Sequence, residues 1–133
     1  MVPKTMKNTM KTAATWFEIP VKKLSRAKKF YEGIFEVELI DMEMGDDFKM
    51  AMFPVEDGGM GGALCEGKEF YIPSHEGSLI YLNAEPRLQS VVDRIEKHGG
   101  KILRPKTQIS EEYGYMAIFE DTEGNRVALH AMK

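Results

Sequence analysis

The sequence predicts an α+β fold in which two tandem βαβββ modules form a curved mixed sheet around a shared cleft, with the helices outside. Three observations carry that prediction. Two segments have the apolar period of an amphipathic helix; each is preceded by one β-like run and followed by three; and the second set repeats the first after about 63–65 residues. A unit of about 60 residues alone buries too little surface to be comfortable, so the two modules are expected to share one interface.

The tail 1–12 is basic and methionine-rich with no apolar period, and residues 13–133 hold the folded unit, module 1 over about 13–67 and module 2 over about 77–133. In "TAATWFEIPV" Phe17 and Ile19 fall on one face and Trp16 and Glu18 on the other, which is a strand. "KKLSRAKKFYEGIF" places Leu24, Ala27, Phe30 or Tyr31, and Ile34 on one helical stripe with charges opposite. "VELIDMEM" and "FKMAMFP" are two strands joined through "GDD", and "ALCEG" is a fourth. The pattern then restarts with the strand "SLIYLNA". In "PRLQSVVDRIEKHGG", Pro86 near the first turn, the row Leu88, Val91, Val92 and Ile95, and Gly99 past the end are start, face and stop of a second helix. "KILRPKTQI", "GYMAIFE" and "NRVALHA" complete the set.

Composition narrows the function. A net charge of −3, with lysines interspersed among acids, gives no field for nucleic acid, and the apolar runs are far too short to cross a bilayer. The start lacks the apolar core of a secretory signal, and the single cysteine, Cys65, forms no intrachain disulfide; both fit a cytoplasmic protein. "EDGGMGG" has no following Lys-Ser/Thr, so it is no phosphate-cradling loop. The ten methionines, mostly in strands, read as adaptable core filling.

Two passages carry a likeness. "WFEIPVKKLSRAKKFYEGIF" resembles the opening strand and helix of the vicinal oxygen chelate superfamily, and "EEYGYMAIFEDTEGNRVALHAMK" resembles its closing hairpin. That superfamily includes glyoxalase I, extradiol dioxygenases, methylmalonyl-CoA epimerase and the bleomycin- and fosfomycin-resistance proteins. The likeness covers about residues 13–133 and points to the small glyoxalase-related bacterial members. In the metal-dependent members it implies a divalent ion held from the first and last strand of each module. Those positions map onto Trp16, Ala63, Leu79 and Ala128, none of which offers a donor to such an ion. No metal ligand and no cofactor is therefore expected.

One step along the strands stand Glu18, Cys65, Tyr81 and His130, a carboxylate, a thiol, a phenol and an imidazole on the non-helix face. A displaced divalent ion on these groups is the sharper reading; polar groups bonding one another or an organic ligand is the plainer one. Glu18 and His130 are the candidate acid and base. Trp16, Cys65, Tyr81 and Tyr113 are the candidate ligand contacts, Tyr113 through an acidic turn that covers the cleft or is an ordinary hairpin. Cys65 as nucleophile would need a lowered pKa and a base, so a packed thiol is preferred. His98 at a helix end reads as a cap, and His75 as a loop residue.

Three functions compete. The first is a glyoxalase-related small-molecule-binding protein that takes an apolar or aromatic compound in the inter-module cleft. The second is a glyoxalase-like lyase or isomerase, or a dioxygenase relative, using Glu18 or His130 as general base. The third is an interaction module. Sheet edges left by short modules, together with the pairing common among such relatives, give the expectation of a homodimer.

Overall fold

A computed structural model describes residues 8–67 and 69–133. The part of the predicted tail over 1–7 lies outside them, and Asn8–Thr12 form neither helix nor strand. The element order is β1 (Trp16–Pro20), α1 (Leu24–Phe35), β2 (Ile40–Met42), β3 (Phe48–Met52), β4 (Gly61–Gly67), β5 (Tyr81–Asn83), α2 (Leu88–Ile95), β6 (Lys101–Ser110), β7 (Gly114–Glu120) and β8 (Arg126–Ala131). This is βαβββ twice. The strands form two four-stranded mixed sheets, ordered β1-β4-β3-β2 and β5-β8-β7-β6, each with one parallel pair at the crossover and antiparallel pairs elsewhere.

The alternation of each strand decides what the helices cover. Ile19, Leu64 and Ala51 share one row of the first sheet, and Leu82, Leu129 and Ala117 the matching row of the second. Together with Ala27, Phe30, Tyr31 and Ile34 of α1 and Leu88, Val91, Val92 and Ile95 of α2, they form one buried cluster. The cluster crosses the module boundary: the Phe119 ring lies 5.8 Å from Phe30 and 6.3 Å from Tyr31. The opposite faces carry Glu18, Ala63 and Met52 in one sheet, and Tyr81, Ala128 and Ile118 in the other.

Both helices lack a side-chain N-cap, because Lys23 and Arg87 occupy that position. Distant groups satisfy the orphan donors instead. Leu24 N–H donates to Glu66 Oε1 at 2.7 Å, and Leu88 N–H to the Lys133 carbonyl at 2.8 Å. Helix α2 begins two residues after Pro86, so that proline lies outside the helix, ahead of the cap residue Arg87. A short 3₁₀ turn, Glu96–His98, follows α2 and ends at Gly99 with φ 103°, where His98 Nδ1–H donates to the Arg94 carbonyl at 2.7 Å.

The turn Asp121-Thr122-Glu123-Gly124-Asn125 pins module 2 to module 1. Asp121 Oδ1 accepts the N–H groups of Glu123 and Asn125, while Oδ2 accepts the buried Tyr31 hydroxyl at 2.7 Å. Glu123, 2% exposed, accepts the backbone N–H of Lys22 and Lys23 at 2.8 and 2.9 Å and a bidentate contact from Arg26. Asn125 Nδ2 donates to the Pro20 carbonyl at 2.7 Å. Burial lifts Asp121 above the usual carboxylate range despite its hydrogen bonds. For Glu123 burial is the largest single effect and pushes upward, yet the combined hydrogen bonds from Arg26, Lys23, Thr122 and Lys22 hold it below the ordinary glutamate value.

Candidate functional site

The non-helix face of the first sheet holds a hydrogen-bonded group built on β1. Glu18 accepts the Tyr71 hydroxyl at 2.7 Å and the Trp16 indole N–H at 3.2 Å. Tyr71 stacks on Phe48 with ring centroids 5.3 Å apart, which fixes its approach. Its donation to Glu18 pushes the Tyr71 hydroxyl up to about 12. Cys65, fully buried one row from Glu18, is pushed up to about 12 by burial and then by the neighbouring Glu18 carboxylate. A thiol raised in this way is a poor nucleophile at neutral pH. A disulfide reagent should therefore leave native Cys65 unlabelled over hours and react within minutes once the chain is unfolded in urea, as read by thiol release. Prompt labelling of the folded chain would contradict this.

The second sheet places Tyr81, Asn83 and His130 on its corresponding face, with Asn83 paired to His130. His130 Nε2 lies 2.6 Å from the Tyr113 carbonyl. A carbonyl only accepts, so this hydrogen bond requires the proton on Nε2, and Nδ1 has no hydrogen-bond partner among the described residues. Tyr113 contributes this carbonyl, while its side chain is 55% exposed. His75 bonds Glu120 at 2.6 Å at the surface of the loop before β5.

Glu18 with Cys65, and Tyr81 with His130, thus occupy equivalent rows of two different sheets. No hydrogen bond joins the two pairs among the described residues, and Glu18 lines one cavity while Tyr81 and His130 line another. The repeat makes them equivalent, which is different from making them neighbours.

At the positions where the resemblance implies a divalent ion, the residues present offer it no free donor. Ala63 and Ala128 are fully buried methyl groups, Trp16 offers only an N–H already given to Glu18, and Leu79 precedes β5. In the displaced set Glu18 already accepts from Tyr71 and Trp16, and Cys65 and His130 lie in different sheets. Among the described residues, no three His, Cys, Asp or Glu side chains meet as an ion requires.

A cavity of about 360 Å³ lies where the modules meet. Module 1 supplies Phe17 from β1, Phe35 and Val37 from the end of α1, and Phe53, Val55 and Met60 beside β3 and β4. Module 2 supplies Tyr81, Leu82, Asn83 and Glu85. Phe17 and Phe35 each pack on Phe53, at 5.6 and 6.4 Å between centroids, so the apolar wall is braced by the core. Of the six residues singled out by sequence, only Tyr81 lines this cavity. Phe17 and Leu82 read as core because they alternate with the polar face; they reach the cavity because β1 and β5 are edge strands where that core opens. Tyr71, Asn83 and Glu85 lie in loops or at a strand end, where spacing gives no signal.

Paired βαβββ modules around one core, with an apolar cavity between them, define a protein of glyoxalase-type fold. The chain belongs to the Glyoxalase/Bleomycin resistance protein/Dioxygenase superfamily, whose model matches residues 13–129. Similar solved structures include a glyoxylase/bleomycin resistance protein/dioxygenase domain from Frankia sp. EAN1pec, 17% identical with a TM-score of 0.67, covering 92% of this chain and 98% of that one. A glyoxalase/bleomycin resistance protein from a Streptomyces species is 24% identical at a TM-score of 0.61, over 86% and 96% of the two chains. A glyoxalase I mutant from Zea mays is 21% identical at 0.65, over 88% of this chain and 46% of that one. At these identities the likeness is one of fold. No curated protein matches the chain in sequence.

Proposed function

We propose that the chain is a small-molecule-binding member of this superfamily that takes an apolar or aromatic compound at the module junction without a metal ion. The observation that carries the reading is the cavity itself. Its volume of about 360 Å³ falls in the range of small-molecule sites, and its walls are mostly apolar with a few polar groups from β5 and the residues just after it. Binding there would bury ring surface now facing water, which gives about 25 cal/mol per Å² of apolar area. The homodimer expected from sequence is part of the same proposal. It is supported by the exposed apolar side chains Trp16, Ile40, Met42 and Ile109 and by sheet edges left uncovered. A cytoplasmic setting is supported by the unpaired, buried Cys65; no helix among the described residues is long and apolar enough to cross a membrane.

The test is a calorimetric titration with phenethyl alcohol, comparing the native chain with Val55→Trp. Val55 is 53% exposed, so the larger ring can fill the cavity mouth while the fold is kept. Binding should weaken at least tenfold in the variant with an unchanged melting temperature. Equal affinity in the two proteins would remove the cavity as the site.

A second reading, a lyase or isomerase, is favoured by the hydrogen bond of His130 Nε2 to the Tyr113 carbonyl, which orients the ring and leaves Nδ1 without a partner among the described residues. Turnover of a carbonyl substrate that falls at least a hundredfold in His130→Ala, with the fold intact by circular dichroism, would establish it. Turnover indifferent to that change would dismiss His130 as the base.

A further inference from the structure

We infer that the inter-module cavity selects a ligand bearing an amine: an aromatic or aliphatic body seated in the cavity, with a primary ammonium group at its mouth. The inference rests on the reading of the cavity as the ligand site and goes on to name the ligand's chemistry. The polar groups of the cavity lining come from one wall, namely Tyr81, Asn83 and Glu85, and Glu85 is the single charged residue among them. Among the described residues, no Lys, Arg or His lines the cavity.

Glu85 is held in place. Its two carboxylate oxygens accept the Met132 backbone N–H at 3.1 and 3.2 Å, which ties the side chain to the end of β8. A carboxylate has about four acceptor positions, so this leaves both oxygens with capacity toward a ligand. The Asn83 Oδ1 accepts the Glu85 backbone N–H at 2.8 Å, which orients the amide and commits its acceptor within the chain. The opposite side of the lining carries Phe17, Phe35 and Phe53, aromatic rings of a kind that attracts a cation and repels an anion at its face. Carboxylate and rings therefore act in the same sense.

Position favours the same choice. Glu85 is exposed at the mouth, so an ammonium group there keeps part of its hydration and avoids the full cost of burying a charge. A neutral alcohol of the same shape gains the apolar contacts alone. An aromatic acid meets the Glu85 carboxylate with like charge, with no Lys, Arg or His among the described residues of the cavity lining to offset it.

The experiment titrates the full-length chain and its Glu85→Gln variant with phenethylamine, phenethyl alcohol and phenylacetate at neutral pH and low salt, using Val55→Trp as the blocked control. Gln keeps an acceptor for Met132 N–H, and equal melting temperatures verify that the fold is retained. Phenethylamine should bind about fivefold more tightly than phenethyl alcohol, and phenylacetate most weakly. In Glu85→Gln the amine should fall to the level of the alcohol, whose own affinity stays constant. Phenylacetate binding as tightly as the amine, or an amine preference that survives in Glu85→Gln, would overturn the inference while leaving the cavity as a site. Absence of any binding sensitive to Val55→Trp would overturn the cavity reading and the inference with it.

Discussion

Glu123→Ala is expected to destabilise the folded chain by about 3–4 kcal/mol, the cost of emptying a buried acceptor site whose donors stay in place. The Arg26 side chain is half exposed and can turn to water, so its ion pair is the smaller part. The larger part is the pair of backbone N–H groups of Lys22 and Lys23, which both point at Glu123 Oε1 where β1 leads into α1. Losing that acceptor loosens the seam between modules as well as the start of the helix. Urea unfolding should show a lower midpoint with little change in slope. A loss within about 0.5 kcal/mol, the range of ordinary surface changes, would mean that the seam is held elsewhere.

The same residue sets part of the pH response. The folded-state pKa of Glu123 lies below its ordinary value of 4.5, so the unfolded chain binds more protons in that range. Its contribution is complete above about pH 4.5 and is lost as pH falls through the lowered folded value. Asp121 works in the opposite sense, because its folded pKa lies above the ordinary 3.8 and protonation favours the fold. Glu123→Gln should accordingly flatten the loss of stability below pH 4.5.

Gly114→Ala is expected to cost roughly 2–4 kcal/mol. Gly114 has φ 78°, and an added Cβ would meet the Ala131 carbonyl oxygen at 2.5 Å and Met132 Cα at 2.7 Å. Both obstacles are backbone, so no rotamer change relieves them. The consequence reaches His130, whose Nε2–H is held by the carbonyl of the preceding residue, Tyr113. Nitrogen chemical shifts of the His130 ring should lose the single-tautomer pattern, and amide exchange should rise at Tyr113 and Met132. A variant with native melting temperature and native His130 shifts would contradict the backbone geometry described.

Much of the fold was legible because period and repeat carry it. The row Leu88, Val91, Val92 and Ile95 is the buried face of α2, and "GYMAIFE" coincides with β7. Matching the halves aligns Glu18 with Tyr81, Ala63 with Ala128 and Cys65 with His130, as the parallel registers of β1–β4 and β5–β8 have it. Strand ends were less legible. β5 spans only Tyr81–Asn83 of the longer run "SLIYLNA", since alternation fixes which face a residue takes and not where pairing stops. Helix starts were hidden for another reason: Glu66, Glu123 and Lys133, far away in sequence, satisfy N–H groups that a local cap would otherwise bond.

The site was legible in part. Polar groups on the non-helix strand face lie where alternation puts them, and Glu18 does bond Trp16 two residues away. Its stronger partner, Tyr71, arrives from a loop that no pattern ties to β1. The residues that line the cavity were missed for a related reason: they have core periodicity, and only the fold shows that the core opens between the modules there.

The most direct measurement of the central claim is amide and methyl chemical-shift mapping of the full chain titrated with phenethyl alcohol. Saturable perturbations centred on Phe17, Phe53, Val55, Met60 and Leu82, lost in Val55→Trp, are the predicted result. Perturbations centred on Trp16, Glu18, Cys65 and His130, with the cavity residues silent, would contradict it.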